Sequence, residues 1–369
     1  MFRFLHSADL HLGKPFGQFD EDLRGRLRSA RIEAIGRLAA AARAGGAGTV
    51  LLAGDVFDAA EPPRRLVAQA LDAMAAERDL RWLLLPGNHD PHRPAGLWER
   101  IAADRPENAT LLLEPAPVEI APGVVALPAP CRARRAGLDP TVWMDAAETP
   151  EGAVRLGVAH GPALDFTEDG SGDSLDPERP ARAGLAYLAL GDWHGETALG
   201  PRVRYSGTPE TASFKRNGQG RALLVTLAGP AAPPEVAAVE TTRFRWAAET
   251  VELLPGADAL SRIGALVADA PRRDVLLSLR LAGETTLPER AALAETLERF
   301  GAGLAHFEAD WSALAVRRSP EDLAEIAEGG PLRAAADALL AEASGEGGAA
   351  AREALDLLYS WSVGMEEGA

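Results

Sequence analysis

Short apolar runs that end abruptly in polar residues recur along the first half of the chain. The clearest is Leu51-Leu52-Ala53, which is followed by Gly54, Asp55 and Asp58. A run that is uniformly apolar, rather than alternating, is typical of a strand buried in a parallel sheet. In open α/β sheets, ligands bind at the carboxyl ends of such strands. The pattern therefore predicts a functional site at the end of this strand.

The same pattern predicts alternating strands and helices. Strands are predicted over residues 2–6, 49–53 and 81–85, with helices over residues 20–43 and roughly 62–77 between them. This order implies parallel strands with right-handed crossovers, so the polar clusters after the strands should share one sheet edge. Further strands are predicted at 155–159, 185–190 and 221–227. The arginines of the first helix are expected on a solvated face; they are Arg24, Arg26, Arg28 and Arg31.

Composition indicates how the rest of the chain is organised. Residues 228–234 are rich in alanine, glycine and proline, which is typical of a linker. We predict a first domain over residues 1–228, a linker over 229–242, a smaller α+β domain over 243–318 and a helical tail over 319–369. In the smaller domain, strands at 243–254, 274–282 and within 304–316 alternate with helices at 257–269 and 288–300. The tail is expected to form helices at 321–343 and 349–361.

The net charge and the cysteine content indicate which binding partners and which cellular compartment to expect. The formal net charge is −16, which argues against a general nucleic-acid binder because phosphate contacts need Lys and Arg. Bound divalent metals would add positive charge that this count omits. The single cysteine, Cys131, cannot form an internal disulfide. Neither a signal peptide nor an apolar run of about 18–20 residues is present, so a cytoplasmic protein without membrane contact is expected.

Five short motifs place potential metal ligands after predicted strands. In chain order they contain Asp9 and His11, Asp55 and Asp58, Asn88 and His89, His160, and Asp192 and His194. A two-residue spacing puts both side chains on one face of an extended segment. Each motif alone fits a polar loop, whereas the ordered series indicates a metal site. Carboxylate, imidazole and amide ligands together favour Mn²⁺ or Fe²⁺ over thiolate-bound Zn²⁺ or oxygen-bound Ca²⁺.

This series resembles the calcineurin-like metallophosphoesterase superfamily, whose pattern is DxH, GDxxD, GNH[DE], H and GHxH. Within it, the segments Phe4–Gly13, Gly54–Asp58 and Tyr205–Pro209 resemble the SbcD/YhaO-type DNA-repair exonucleases. The resembling motifs cover about the first 210 residues. The resemblance implies an α/β fold, namely a calcineurin-like β-sandwich flanked by helices (α-β-β-α). A smaller α+β capping domain and a helical carboxy-terminal tail would follow it.

The resemblance also implies roles for single residues and two divalent metal ions, with Mn²⁺ expected and Fe²⁺ as the alternative. The first ion would be held by Asp9, His11, Asp55 and His194, and the second by Asp55, Asn88, His160 and Asp192. Asp55 would join the two ions, which would activate a water as the nucleophile. His89 would stabilise charge on the scissile phosphate or protonate the leaving oxygen. Asp58 would orient His89 or help to position the phosphate.

Two further positions bear on metal binding and on substrate binding. Asp192 stands where the family usually has histidine. An aspartate can still bind a metal and favours a harder ion such as Mn²⁺, or it could weaken the second site. His92 is a candidate for substrate binding, although a surface-loop histidine fits it equally well.

Three functions follow from the resemblance. The first is a metal-dependent phosphodiesterase acting on DNA in repair, as exonuclease or endonuclease; its tail helices could dock on an SMC-like coiled-coil ATPase or pack on their own domain. The second is a small-molecule or nucleotide phosphodiesterase or phosphatase, which the net charge of −16 favours. The third is a degenerate, non-catalytic scaffold, supported only by Asp192 and opposed by an intact His89. Monomer and homodimer both stay open.

Overall fold

The computed structural model describes residues 1–134, 137–163, 174–215, 219–253, 263–265, 267, 270–317, 330–343, 345 and 348–366. The chain divides into two compact units, Met1–Arg245 and Trp246–Ala369. In the described part of the chain, none of the helices combines the length and the apolar composition that crossing a bilayer requires.

The first unit is built on two six-stranded sheets. Its strands are β1 (Phe2–Ser7), β2 (Thr49–Ala53), β3 (Arg81–Leu85), β4 (Ala109–Leu111), β5 (Val118–Ala121), β6 (Val124–Ala129), β7 (Val154–His160), β8 (Tyr187–Gly191), β9 (Thr197–Gly200), β10 (Val203–Tyr205), β11 (Arg221–Leu227) and β12 (Glu235–Glu240). The strand orders are β12-β11-β1-β2-β3-β4 and β5-β6-β7-β8-β10-β9. Strands β1 to β4 run parallel, as do β6, β7, β8 and β10. The carboxyl ends of each parallel set therefore lie at one edge of its sheet.

Helices cover the outer faces of both sheets. Helices α1 (Glu21–Ala44), α2 (Arg64–Ala76) and α3 (Leu97–Asp104) pack on the first sheet. A short 3-10 helix (Val142–Ala146) and α4 (Arg179–Ala183) lie on the second. Between the sheets is a core to which the first contributes Phe4 and Leu51 and the second Leu156 and Tyr187. The predicted α-β-β-α arrangement and the mixed α/β fold are confirmed.

Local sequence explains how α1 begins and which face it buries. The Asp20 side chain accepts a hydrogen bond from the Leu23 backbone N–H, which caps the first turn. Leu27, Ile35 and Leu38 then follow at helical spacing and are buried. This face fixes α1 against the sheet directly behind the loops that carry the polar motifs.

The stretch predicted as a linker contains a strand. β12 pairs antiparallel with β11, with Glu240 opposite Arg221 and Glu235 opposite Thr226. Residues 228–234 therefore form the turn of a hairpin, and the first unit extends to Arg245 instead of ending near 228. Alanine, glycine and proline are common to hairpin turns and linkers, so composition alone does not separate the two.

The second unit combines one sheet with helices. It contains β13 (Arg245–Leu253), β14 (Val275–Thr286), α5 (Leu287–Gly301), β15 (His306–Arg317), α6 (Gly330–Ala343) and α7 (Ala349–Glu366). The sheet order is β13-β14-β15, and β14 runs parallel to β15. The tail helices pack on α5 through a cluster that includes Leu287, Leu355 and Tyr359. Most of the helix predicted over 257–269, and residues 321–329 of the first tail helix, lie outside the described residues.

Candidate metal centre

The side chains predicted as metal ligands converge at the carboxyl ends of parallel strands from both sheets. Asp9 and His11 follow β1, Asp55 follows β2, Asn88 follows β3, His160 ends β7, and Asp192 and His194 follow β8. Within the described residues, three groups have potential ligand atoms within 4.8 Å of one another: Asp9, His11 and His194; His11, Asp58 and His89; and Asp9, Asp55 and His160. The structure thus brings together residues that are far apart in sequence, and metal binding by them stays a prediction.

One group of ligand atoms surrounds the imidazole of His11. Its Nε2 atom lies 3.0 Å from Nε2 of His194. Oδ1 of Asp9 lies 3.8 Å from each of these nitrogens. Oδ2 of Asp55 lies 3.6 Å from His11 Nε2. Two imidazole nitrogens and two carboxylate oxygens that face a common point match the ligands predicted for the first ion.

A second group surrounds His160. Its Nε2 atom lies 3.4 Å from Oδ1 of Asp55 and 3.9 Å from Oδ1 of Asp192. Asn88 donates a hydrogen bond from Nδ2 to Asp192 Oδ1 at 2.8 Å. The two oxygens of Asp55 therefore face different imidazoles, Oδ2 towards His11 and Oδ1 towards His160. This is the orientation that a carboxylate shared by two cations needs.

Buried polar atoms without partners show that the site suits divalent cations. His160 Nε2 and Asn88 Oδ1 are buried and have no hydrogen-bond partner, which is costly unless another group satisfies them. The His160 ring is oriented by a hydrogen bond from Nδ1 to the Ala53 carbonyl at 2.9 Å. The Nδ1 atom of His11 is held 3.1 Å from Asp58 Oδ1. Both rings thereby direct Nε2 inwards, as metal-binding histidines do.

Burial and neighbouring charged groups shift the pKa values of these side chains. Burial raises the pKa of the Asp9 carboxyl to about 7, although the His160 imidazole acts in the opposite direction. Burial alone would lower the pKa of His160, but the Asp55 carboxylate outweighs it and raises that pKa well above its usual range. Burial lowers the pKa of His194 to about 3. A cation bound among these groups would compete with their protons.

Several of these residues have unusual backbone conformations. The φ angles are 57° at Asp9, 44° at His11, 51° at Asp55 and 104° at Asp192. L-residues rarely adopt this region, and each such residue costs on the order of 1–3 kcal/mol. The loops after β1 and β2 are tied together by hydrogen bonds from Asp9 N to Gly54 O at 3.1 Å and from His11 N to Asp55 O at 2.9 Å. Such strain clusters at functional sites, where the surrounding structure holds it in place.

Two glycines allow the site to be this compact. A Cβ atom at Gly54, whose φ is 93°, would overlap the His160 imidazole. A Cβ atom at Gly87 would overlap the Asp55 carboxylate and its backbone nitrogen. Any other residue at either position would push apart two of the groups that face the candidate cation sites.

The contacts of Asp58 differ from the predicted arrangement. Its carboxylate faces His11 Nδ1 at 3.1 Å. His89 instead donates from Nδ1 to the backbone carbonyl of Asp58 at 3.1 Å. The main chain of Asp58 therefore orients His89, while its side chain orients His11. A motif shows that the two residues are close, but it does not show which atoms meet.

His92 is not brought into this group. Its ring lies 3.2 Å from the Leu113 carbonyl through Nδ1 and 3.5 Å from Glu99 Oε1 through Nε2. Its backbone N–H donates to the Cys131 carbonyl at 2.8 Å. Both ring nitrogens of His92 thus face neighbouring protein groups. These contacts hold the loop that carries His92 and do not direct its ring towards the candidate metal centre.

Sequence reasoning missed residues that support the loops of the site. Arg31 is buried instead of solvated, and it donates hydrogen bonds to the carbonyls of Leu10 and Glu210. Thr208 donates from Oγ1 to the Asp9 carbonyl at 2.9 Å. Asp90 accepts from the backbone N–H groups after β2 and β3. Two of these had a signal in the sequence: Asp90 is the last residue of the Asn88-His89-Asp90 motif, and Thr208 lies in the Tyr205–Pro209 segment.

A comparison with protein-family models supports the predicted family for part of the chain. Residues 2–125 match the family model described as calcineurin-like phosphoesterase. This match confirms the predicted family over these residues and leaves the narrower DNA-repair branch untested.

Two solved structures are similar to the chain. The protein TT1561 of Thermus thermophilus is 12% identical, with a TM-score of 0.41, and the match covers 65% of this chain and 99% of that one. A dimetal phosphatase from Danio rerio is 14% identical, with a TM-score of 0.41 and the same coverage of 65% and 99%. No curated protein matches the chain significantly.

Proposed function

We propose, on the premise that residues 2–125 belong to the calcineurin-like phosphoesterase family, that this protein is a phosphodiesterase that uses two divalent metal ions to hydrolyse DNA. One observation carries the two-metal part of the proposal. The oxygens of Asp55 lie 3.6 Å from His11 Nε2 and 3.4 Å from His160 Nε2, on two separate sets of ligand atoms.

The side chains around Asp55 have distinct tasks in such a reaction. Divalent ions held there would lower the pKa of a bound water and offset negative charge on the phosphoryl oxygens. His89 donates a hydrogen bond from Nδ1 to the Asp58 carbonyl, which leaves Nε2 to protonate the leaving oxygen or to stabilise charge on the phosphate. Asp58 holds the His11 ring by its carboxylate. These contacts fix both imidazoles before substrate arrives.

Two observations bear on the substrate. The motifs around Asp9, Asp55 and Tyr205 resemble those of DNA-repair exonucleases, and a second compact unit is present that could contact a duplex. The net charge of −16 favours the second candidate, a phosphodiesterase or phosphatase acting on small molecules or nucleotides, because a polyanionic duplex is repelled by an acidic protein.

A metal-screened activity panel tests the catalytic part of the proposal. We expect the purified chain to cleave bis-p-nitrophenyl phosphate with Mn²⁺, and His89→Ala to lower kcat by about 10²–10⁴-fold because the proton donor is lost. Bound metal, measured by elemental analysis, should be unchanged in this variant. His306→Ala, in the second unit, is the matched control and should keep full activity. No turnover of this diester by the wild-type chain with any divalent metal would overturn the phosphodiesterase and leave the phosphatase or the non-catalytic scaffold.

The same panel separates the two substrate classes. Labelled single-stranded and duplex DNA are incubated at the Mn²⁺ concentration that supports diester cleavage, and the products are resolved by size. Shortened strands support the nuclease. DNA that stays intact while the small diester is cleaved would assign the protein to the second class.

A further inference from the structure

Lysine occurs at only two positions of this chain. Of its 38 Lys and Arg side chains, only Lys14 and Lys215 are lysines. Both line a single cavity of about 690 Å³, whose wall also includes Asp192 and His194 of the candidate metal centre. Two residues that are far apart in sequence, and of a type the chain otherwise lacks, thus line one cavity beside the site.

The two lysines of this cavity lack a close carboxylate partner. Of the cavity's two acids, Glu196 forms an ion pair with Arg221 at 3.0 Å. Asp192 accepts a hydrogen bond from the neutral amide of Asn88 at 2.8 Å and keeps its negative charge. Among the described residues, neither lysine forms an ion pair within 4.0 Å, although the Asp58 carboxylate attracts the Lys14 ammonium group from a longer distance. Lys14 is half-buried and Lys215 is exposed. The cavity therefore offers two ammonium groups next to the metal centre that no adjacent carboxylate holds.

The groups in the cavity suit a phosphate. An ammonium group is a compact charge with three donors, and lysine is a common phosphate ligand. The hydroxyl-bearing residues Thr208, Thr211 and Ser213 are also part of the wall. Although the whole chain carries a net charge of −16, the two ammonium groups place positive charge at one point beside the metal centre, where it would attract an anion.

We propose that this cavity binds a second phosphate of the substrate, next to the phosphate held at the metal centre, and that Lys14 and Lys215 are its ligands. The inference rests on the proposed phosphodiesterase function. The expected substrates are compounds with two neighbouring phosphates, such as a nucleic-acid strand or a nucleoside diphosphate. A diester with a single isolated phosphate would lack the second contact.

Kinetics on matched substrates test this role. A thymidine dinucleotide is compared with and without a terminal phosphate, so that only the second phosphate differs. We expect Lys14→Gln and Lys215→Gln each to reduce the preference in kcat/KM for the phosphorylated dinucleotide by about tenfold, as for loss of a charge-assisted hydrogen bond. Arg65→Gln, an exposed arginine on α2, is the control and should keep the preference. An unchanged preference in both lysine variants would overturn the proposal.

A binding measurement gives a readout that does not depend on turnover. Reductive methylation of the full chain with isotope-labelled formaldehyde keeps the charge of each lysine. It adds methyl signals only at the two lysines and the terminal amine. We expect the phosphorylated dinucleotide to shift both lysine signals more strongly than the unphosphorylated one. Equal shifts with the two dinucleotides, or none, would contradict the proposal.

The two experiments separate failure of the inference from failure of the proposed function. If the wild-type chain cleaves neither dinucleotide with any metal, the phosphodiesterase is lost and the methyl signals alone decide whether the cavity binds phosphate. Thymidine diphosphate is the remaining probe. Stronger shifts with this compound assign the cavity to nucleotides, and stronger shifts with the dinucleotide assign it to a strand.

Discussion

Asp192 is the residue at which this chain departs from the metal-ligand pattern of the calcineurin-like phosphoesterases, the family whose model matches residues 2–125. Its backbone N–H donates to the Asp9 carboxylate at 3.1 Å, and its own carboxylate accepts from Asn88. Oδ1 also lies 3.9 Å from His160 Nε2. The aspartate thus occupies the place where a ligand of the second ion is expected, and it supplies a negative charge that a histidine would not.

Removing that charge should weaken the second ion specifically. We expect Asp192→Asn to bind the second Mn²⁺ about 10–100-fold more weakly, because a carboxylate ligand is replaced by a neutral amide at a crowded site. Isothermal titration of the metal-free protein measures both affinities. Asp72→Asn, an exposed aspartate on α2, controls for the change in net charge. Two Mn²⁺ affinities equal to those of the wild type would show that Asp192 is not a ligand.

Among the elements, the loops after β2 and β3 are joined by one buried carboxylate. Asp90 accepts hydrogen bonds from Phe57 N at 2.9 Å and from Gly87 N at 2.7 Å. Its carbonyl accepts a hydrogen bond from the indole of Trp98 on α3. The positions of Asp55 and Asn88, one on each loop, therefore depend on Asp90 and on the packing of α3.

An amide at this position cannot accept from both loops. We expect Asp90→Asn to lower the free energy of unfolding by about 1–3 kcal/mol, because a buried N–H loses its acceptor. Metal affinity should fall as well, since the two loops carry groups of the site. Urea denaturation in the presence of a chelator measures the first effect, and Asp104→Asn at the exposed end of α3 is the control. A variant as stable as the wild type would mean that the loops hold each other without Asp90.

The hydrophobic pattern of the sequence predicted the strands that carry the site, but it missed β12 at the edge of the first sheet. The predicted strands at 49–53 and 81–85 agree with β2 and β3 because buried parallel strands are uniformly apolar. The predicted strand at 221–227 agrees with β11, a largely buried strand that runs antiparallel to β1. β12 was missed because a hairpin turn and a linker share their composition. The ligand positions were predictable since they follow strand ends. The burial of Arg31 was not, because an arginine on a helix is ordinarily solvated.

At the scale of the whole molecule, the candidate centre draws on residues from Asp9 to His194, all within the first unit. Five loops from two sheets meet there, so a bound cation cross-links segments that the chain connects only through long paths. Ligands that bind only the folded state stabilise it by mass action. A bound metal should therefore stabilise the first unit and leave the stability of the second unit unchanged.

Hydrogen exchange can measure this distribution. We expect Mn²⁺ at a hundredfold excess over Kd to stabilise the loops after β1, β2, β3, β7 and β8 by up to about 2.7 kcal/mol, seen as slower amide exchange. Strand β14 and helix α5 of the second unit should be unaffected. Asp55→Asn, which removes a charge from the shared carboxylate, should abolish most of the protection. Equal protection of both units would show that the metal acts elsewhere.

The placement of the two lysines also determines how this protein behaves towards amine-coupling reagents. Apart from the terminal amine, such reagents have only Lys14 and Lys215 to attach to, and both border the same cavity. A chain tethered to a sensor surface or a resin through its side-chain amines would therefore be held by the rim of its own site. Tethering would therefore block access of substrate to the site. To keep the site open, the chain would have to be attached through groups other than its side-chain amines.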